Sequence, residues 1–222
     1  GMSSAYGEGL TLRRGLIVFQ LFIAQGLVII TIIITQQINH FMAQPLGINS
    51  EAVVEFLLPE NKPEIIRTLK ERLSVISGVE DVAMCNTGST SENSWGGDFE
   101  ATVGDKLIKE YTNVKFADEG YLETYGITLL HGENLVKSDS ANRFVVNEKF
   151  ARALGFQDPE KAIGSAVNMW DNKAVITGII KDFNATPLQN ELSPVIVMAG
   201  TTAYYVGAVR LNTTNLQRTI QE

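Results

Sequence analysis

The longest uninterrupted run of apolar residues lies near the start of the chain, at residues 16–34. Fifteen of its nineteen residues are apolar and none is charged, although Gln20, Gln25 and Thr31 interrupt it. At about 1.5 Å per residue, a helix of this length just crosses the roughly 30 Å hydrocarbon layer of a bilayer. Soluble strands do not reach this length, and in lipid only a helix satisfies its own backbone groups. The run therefore predicts a membrane-spanning helix.

Two other interpretations of this run fit less well. A core helix of a soluble protein is usually about 10–14 residues long and has a wetter face, whereas no charge occurs here between Arg14 and Glu51. A cleaved signal peptide has a shorter apolar segment and a small-residue cleavage pattern after it, which this sequence lacks.

The charges around the run predict its orientation. Arg13 and Arg14 stand directly before it, and the next Lys or Arg is Lys62. The positive-inside tendency then keeps the N-terminus in the cytoplasm and places residues after about 45 outside the cytoplasmic membrane. The sequence predicts a cytoplasmic lead-in at 1–14, a transmembrane helix and stalk at 15–44, and an extracytoplasmic domain at 45–222.

One face of the predicted helix carries small and amide-bearing side chains. At about 100° per residue, four of them fall within about 60° of one another: Gln20, Ala24, Thr31 and Thr35. Such a stripe favours packing against another membrane helix, although scattered Thr and Gln also occur in helices where they have no packing role. The helix is expected to outlast the membrane by two turns as a rigid stalk, until Pro45 ends it.

Beyond the stalk, the hydrophobic pattern predicts alternating strands and helices. A strand at 52–58, an amphipathic helix from Pro63 to the Gly78 terminator, and a strand at 79–85 form a strand–helix–strand unit. Residues 86–97 are polar and glycine-containing, so they are expected to form a long loop. Trp95 in this loop either contacts a partner or tucks under the loop.

The remaining pattern predicts mainly strands. These are strands at 98–103 and 107–117 around a Gly104-Asp105 turn, a short helix at 119–125, a strand at 144–147 followed by a helix at 148–154, a hairpin of 164–170 and 173–181 turning at Asp171-Asn172, and strands at 194–198 and 204–211. A helix capped by residues 212–215 stops after two turns, so the sequence is expected to be part of a longer polypeptide.

Composition and motifs exclude several functions. A net charge of −7 leaves no basic patch for nucleic acid, and the lone Cys85 cannot form an internal disulfide. His40 and His131 lie about ninety residues apart without Cys or acidic neighbours at ligand spacing, so no metal site is predicted. Because nucleotide-binding and nucleophile motifs are absent, we predict no catalytic residue and no cofactor.

Four groups of stretches carry a family resemblance through their order and spacing. They are 12–20 with 36–37 and 46–48; 114–118 with 125–132; 146–151 with 154–156 and 162–164; and 175–183 with Leu188 and Pro194. Together they resemble the MacB-type periplasmic core domain of ABC transporter permeases in the MacB/FtsX/LolC-LolE superfamily. The resemblance covers nearly all of residues 10–222.

The resemblance implies an α+β fold, with an N-terminal transmembrane helix followed by a two-lobed extracytoplasmic domain. A βαβ lobe, at about 50–86 and 203–222, would be interrupted by a mainly β lobe at about 97–200. The strand–helix–strand unit and the later strand at 204–211 agree with such an insertion. The Arg-Arg opening resembles the span that starts the second half of eight-span members, so a membrane half would precede residue 1.

The resemblance also implies a function. The chain would belong to a permease of the bacterial cytoplasmic (inner) membrane that passes ATP-driven motion through its stalk to export or release a substrate. Its expected partners are an ABC ATPase subunit that hydrolyses the ATP, membrane lipid, a second permease copy or the other half of the same permease, and a periplasmic or outer-membrane protein. The resemblance does not identify the substrate.

Two rival classes of function remain. One is an extracytoplasmic ligand-sensing module of a membrane receptor, which a ligand-sized apolar pocket inside a single lobe would favour. The other is a membrane-anchored enzyme, which would need convergent titratable residues that the sequence does not show.

Overall fold

The computed structural model describes residues 3–43, 52–89, 91, 95–137, 141–183 and 192–212. The chain divides into two compact units, Gly1–Pro45 and Leu46–Glu222. The described part of the first unit is a single helix, α1 (Ser3–Ala43). By length and composition its segment Arg13–Asn39 can cross a membrane, and none of that segment is buried in the structure.

Helix α1 extends further toward the N-terminus than the sequence pattern indicates. The backbone of residues 3–12 is helical, although these residues show no hydrophobic periodicity. Beyond the apolar segment the helix continues to Ala43, and the role of this part as a stalk stays a prediction. The predicted stop at Pro45 and the family-like residues 46–48 lie outside the described residues.

The second unit is rich in strands. Its elements in chain order are β1 (Val53–Leu57), α2 (Pro63–Ser74), β2 (Val79–Cys85), β3 (Trp95–Val103), β4 (Lys106–Phe116), α3 (Tyr121–Thr124), β5 (Leu129–Gly132), β6 (Arg143–Asn147), α4 (Glu148–Ala153), a 3-10 turn (Pro159–Ala162), β7 (Ala166–Met169), β8 (Asn172–Ile180), β9 (Val195–Met198), a second 3-10 turn (Thr201–Ala203) and β10 (Val206–Leu211).

A three-stranded sheet contains the predicted βαβ unit. Its order is β1-β10-β2, and β10 runs antiparallel to both neighbours. Strands β1 and β2 are therefore parallel, and α2 makes the crossover between them. One face of α2 buries Ile66 against Val82, Met84 and Val209. This arrangement confirms that the chain leaves the βαβ unit and later returns to it as β10.

The larger sheet closes into a barrel. Its order is β5-β8-β6-β9-β4-β3-β7, and β7 also pairs with β8. The first half of β8 pairs with β7 and the second half with β6, which closes a ring of six strands. Strand β5 lies outside this ring and pairs with the second half of β8. The barrel core contains Phe99, Phe144, Ile176 and Met198, and it includes Phe150 of α4.

Four details differ from the sequence predictions. Strand β3 begins at Trp95 rather than 98, so the long loop ends earlier than predicted. Residues 86–89 are buried, although the sequence predicts a long polar loop there. Strand β5 was not predicted. The β7–β8 turn is Trp170-Asp171, with φ of 51° and 62°, one residue earlier than expected. Beyond Asn212, the predicted C-terminal helix lies outside the described residues.

The two sheets share a hydrophobic core. It joins Ala83 and Ala208 of the three-stranded sheet to Val145 and Val197 of the barrel wall, with Tyr125, the residue after α3, among them. A bridge between Cys85 and Ala117 connects the two sheets directly. Residues from Leu46 onward thus form one compact unit. The division into two lobes, at about 50–86 with 203–222 and at about 97–200, stays a prediction.

A buried lysine explains why the polar residues after β2 are enclosed. Lys115 is fully buried, and its Nζ donates hydrogen bonds to Thr87 Oγ1 at 3.0 Å and to the Gly88 carbonyl oxygen at 2.9 Å. The Glu55 carboxylate lies against Gly88 and accepts a hydrogen bond from the Tyr125 hydroxyl at 2.6 Å. Burial lowers the pKa of Lys115 to about 8.

The lowered pKa of Lys115 predicts a pH-dependent stability. Because its pKa is lower in the folded chain than its ordinary 10.5, the folded state binds fewer protons between these two values. Stability therefore rises as pH increases through about 8. Between pH 7.5 and 9 we expect the free energy of unfolding to rise by about 1 kcal/mol more in the wild type than in Lys115→Met.

The measurement is urea unfolding of both chains in detergent, followed by circular dichroism at each pH. The hydrogen bonds lost in Lys115→Met add an offset that does not depend on pH, and the titration of Cys85 and the tyrosines cancels in the difference. A constant difference between the two chains across this range would contradict the prediction.

Candidate functional site

Four aromatic side chains gather at one end of the barrel, where β7 and β9 end and β3 begins. They are Trp95, Phe116, Trp170 and Tyr205, and we call them the aromatic mouth. Trp95, Trp170 and Tyr205 are 43%, 47% and 45% exposed. Ligand sites often occur at barrel mouths, and exposed Trp and Tyr are common in binding surfaces.

The rings of the aromatic mouth hold one another in place. Phe116 stacks on Trp170 with centroids 6.0 Å apart and meets Trp95 edge-on at 5.9 Å. Tyr205 lies 6.4 Å from Trp95 at an interplanar angle of 32°. Each such pair contributes about 0.5–1.5 kcal/mol beyond its buried area. The partly exposed rings are therefore kept in a defined arrangement.

Two glycines make room for these rings. A Cβ at Gly97 would lie 2.6 Å from Nε1 of Trp170, and one at Gly200 would collide with the Phe116 ring. The backbone at both positions thus allows an aromatic ring to lie directly on it. Trp95 accordingly is neither in a loop nor fully covered: it starts β3 and packs against Phe116 while nearly half exposed.

A groove of about 670 Å³ runs beside α2. One wall is α2 itself, and the opposite wall includes Asp118, Val136, Ala199 and Tyr204. The walls come from both the βαβ unit and the inserted segment that forms the barrel. By the predicted lobe boundaries the groove lies between the lobes, whereas a sensor module would favour a pocket within a single lobe.

A charge cluster crosses this groove. The Lys70 ammonium lies 2.6 Å from Asp118 Oδ2 and 2.9 Å from Glu119 Oε1. The other Asp118 oxygen accepts a hydrogen bond from the Gly120 N–H at 3.1 Å. Burial raises the pKa of Asp118 to about 6, although the Lys70 ammonium opposes the shift. Burial lowers the pKa of Lys70, but the nearby carboxylates of Asp118 and Glu119 raise it by a larger amount. The pKa of Lys70 is therefore above its ordinary value.

The predicted membrane-helix residues lie on the exposed surface of α1. Gln20, Ala24, Thr31 and Thr35 are exposed in the structure. The Thr31 hydroxyl donates to the Leu27 carbonyl and the Thr35 hydroxyl to the Thr31 carbonyl, both at 2.8 Å. These two hydroxyls therefore satisfy their donors within the helix.

The predicted topology residues and histidines have the following positions. Arg13 and Arg14 are exposed at the start of the candidate span. His131 lies in β5, and its Nδ1 is 3.6 Å from Glu160 Oε2. His40 lies in α1, and its side chain is outside the described part.

Cys85 does not resemble a reactive thiol. It is fully buried, and burial raises the pKa of its thiol to about 12. Thiolates are the reactive form, so this position favours packing over nucleophilic chemistry. Among the described residues, no group of three or more His, Cys, Asp or Glu side chains could hold a metal ion.

The family follows from comparison with known proteins. Residues 15–221 match the sequence model of the MacB-like periplasmic core domain. The chain belongs to this family. It is a MacB-like periplasmic core domain, of the kind found in ABC-type transporter permeases, and this kind of domain is not itself catalytic. Membership implies an ATPase partner and a membrane context.

The first of two similar solved structures supports the MacB-like fold. The periplasmic region of MacB from Actinobacillus actinomycetemcomitans is 16% identical, with a TM-score of 0.50 over 82% of this chain and 86% of that one. The extracellular domain of the noncanonic ABC-type transporter YknZ from Gram-positive bacteria is 13% identical, with a TM-score of 0.49 over 75% and 88%. No curated protein matches the chain.

The sequence did not identify the charged groove of this MacB-like domain. The sequence pattern places Lys70 inside the amphipathic helix that begins at Pro63 and residue 119 at the start of a short helix, and it gives no sign of a contact between them. In the structure Asp118 and Glu119 precede α3, whose N-cap is Gly120. The adjacent carboxylates Asp118 and Glu119, at the end of a family-like stretch, were the available signal, but nothing in the sequence paired them with Lys70.

The aromatic mouth predicts a spectroscopic effect. Trp95 and Trp170 are the two tryptophans of the chain, so its tryptophan fluorescence reports on the mouth. Gly97→Val puts a side chain where the Trp170 ring lies, so we expect a red-shifted emission and a loss of about 1–3 kcal/mol in stability. Thr102→Val, on the exposed side of β3, should change neither. Unchanged emission from folded Gly97→Val would contradict the described packing.

Proposed function

We propose that this domain transmits ATP-driven movement across the membrane, in a permease that exports or releases a substrate. The observation that supports this proposal is the unbroken helix α1, which continues beyond the candidate span Arg13–Asn39 at both ends. A hydrogen-bonded helix without a kink moves as a rigid element, so displacement at one end reaches the other. ATP hydrolysis would take place in a separate ATPase subunit on the cytoplasmic side.

The proposed orientation places the N-terminus in the cytoplasm. Arg13 and Arg14 anchor that end of the span, and residues after about 45 lie in the periplasm beside the inner membrane. In this orientation the cytoplasmic end of α1 is within reach of an ATPase subunit. The opposite end leads toward the folded domain.

We further propose that the stripe on α1 packs against another span, from a second permease copy or from the other half of the same permease. The Thr31 and Thr35 hydroxyls already donate within the helix. The amide of Gln20 has no such bond among the described residues, and an unsatisfied amide is costly in hydrocarbon. A neighbouring helix that covers Gln20 would remove this cost.

The aromatic mouth is the surface that we propose for a periplasmic or outer-membrane partner. Trp95 is its central contact, because it touches both Phe116 and Tyr205 while remaining 43% exposed. Large, rigid aromatic side chains lose little entropy on binding and often dominate interface energies.

A matched pair of insertions tests transmission through α1. Insertion of Gly-Gly between Gln37 and Ile38 introduces a flexible joint, whereas insertion of Ala-Ala gives the same length and register without one, since each Gly weakens a helix by about 1 kcal/mol relative to Ala. In the assembled permease, we expect Gly-Gly to abolish the ATP-dependent change in hydrogen exchange of residues 52–212 and Ala-Ala to retain more of it. The ATPase rate serves as a control for assembly. Equal responses from both insertions would contradict the proposal.

Substitutions in the stripe test helix packing. The double variant Gln20→Leu and Thr31→Leu removes its polar side chains, so we expect helix association to weaken by about 1–2 kcal/mol, or roughly tenfold. Gln25→Leu removes an amide about 140° away on the helix and should have a smaller effect. Cross-linking in detergent measures the association. Equal effects of the two changes, or none, would contradict packing through this stripe.

A further inference from the structure

The groove beside α2 combines apolar walls with an acidic inner end. Its volume of about 670 Å³ falls within the roughly 300–1,000 Å³ that is usual for small-molecule sites. Ile66, Val136, Ala199 and Tyr204 supply apolar surface from both walls. Such walls suit the apolar body of a ligand.

The charges that line the groove favour a cation. The carboxylates outnumber the cationic side chains by one, four against three: Glu64, Glu71, Asp118 and Glu119 against Arg67, Lys70 and Lys137. The exposed charges balance, two against two: Glu64 and Glu71 against Arg67 and Lys137. The excess belongs to the cluster of Lys70, Asp118 and Glu119, in which the Asp118 side chain is only 10% exposed. Water and salt screen charges at the rim more strongly than those at the buried end. The negative excess therefore lies at the partly buried end of the groove.

The Lys70 ammonium shows what the acidic end can hold. It lies within 3 Å of both Asp118 and Glu119, at 2.6 and 2.9 Å, which is the geometry of charge-assisted hydrogen bonds. One ammonium leaves the pair with a net charge of −1. The Glu119 side chain is 40% exposed, so a second cation can approach it or displace Lys70.

We propose that this groove binds a small amphiphile with a single positive charge. Its cationic group would lie beside Glu119 and Asp118, and its apolar body between α2 and Tyr204. Binding of this kind does not depend on the transmission proposed for α1. The two proposals can therefore fail separately.

Two probes of matched shape test the charge preference. Tetraphenylphosphonium and tetraphenylborate have nearly the same size and opposite charge. Equilibrium dialysis with the full chain in dodecyl maltoside micelles should give saturable binding of the phosphonium, at least about tenfold tighter than that of the borate. Ser74→Trp fills the groove from α2 and should abolish this binding, leaving only the partition into micelles that all variants share.

Single substitutions test the cationic subsite in opposite directions. Glu119→Gln should weaken phosphonium binding about fivefold, whereas Glu110→Gln, which removes the same charge from β4, should leave it unchanged. Lys70→Met removes the built-in competitor and should tighten binding several-fold. Circular dichroism confirms that each variant is folded.

Several results would overturn the inference. Equal affinity for the two probes would show that charge plays no part. Saturable binding that survives Ser74→Trp would place the ligand elsewhere. Affinities that are unchanged in both Glu119→Gln and Lys70→Met would remove the cationic subsite.

Discussion

The packing of the three-stranded sheet against the barrel wall is the contact on which both candidate surfaces depend. Tyr121 of α3 and Tyr125, the residue after it, fill this junction, and their ring centroids lie 4.9 Å apart in the shared core. The segment that leads into β10 crosses the same junction, where the Tyr205 N–H donates to the Cys85 carbonyl at 2.8 Å. Consecutive side chains then point to different sites: Tyr204 lines the groove, and Tyr205 belongs to the aromatic mouth. A shift of this junction would therefore alter both.

Local sequence patterns were sufficient where packing agrees with them. Strand β2 was predicted with its observed bounds, and α2 starts at Pro63 as expected. The prediction misplaced the β7–β8 turn by one residue, because Asp and Asn are the residues that commonly tolerate a positive φ. In the structure the turn begins with a positive φ at Trp170, whose ring packs on Phe116. Strand β5 has only four residues, all exposed, so it shows no alternation to detect.

The candidate surfaces depend on contacts between distant residues, which no local pattern shows. Residues 86–89 look like an exposed loop in sequence, but Lys115, 28 residues after Thr87, binds and encloses them. The groove likewise joins α2 to residues that follow β4, β5 and β9. The family resemblance indicated the overall fold class and the permease context, because the order and spacing of its motifs extend along nearly the whole sequence. It did not supply the ion cluster or the aromatic contacts.

The position of β10 constrains how this domain can be made. Val53 pairs with Arg210, and Ala83 pairs with Ala208, so the middle strand of the first sheet is synthesised last. Until it arrives, β1 and β2 lack the neighbour that joins them, and closing so long a chain segment slows folding. During export across a membrane, the apolar strands would stay available to chaperones and proteases until nearly the whole domain has emerged.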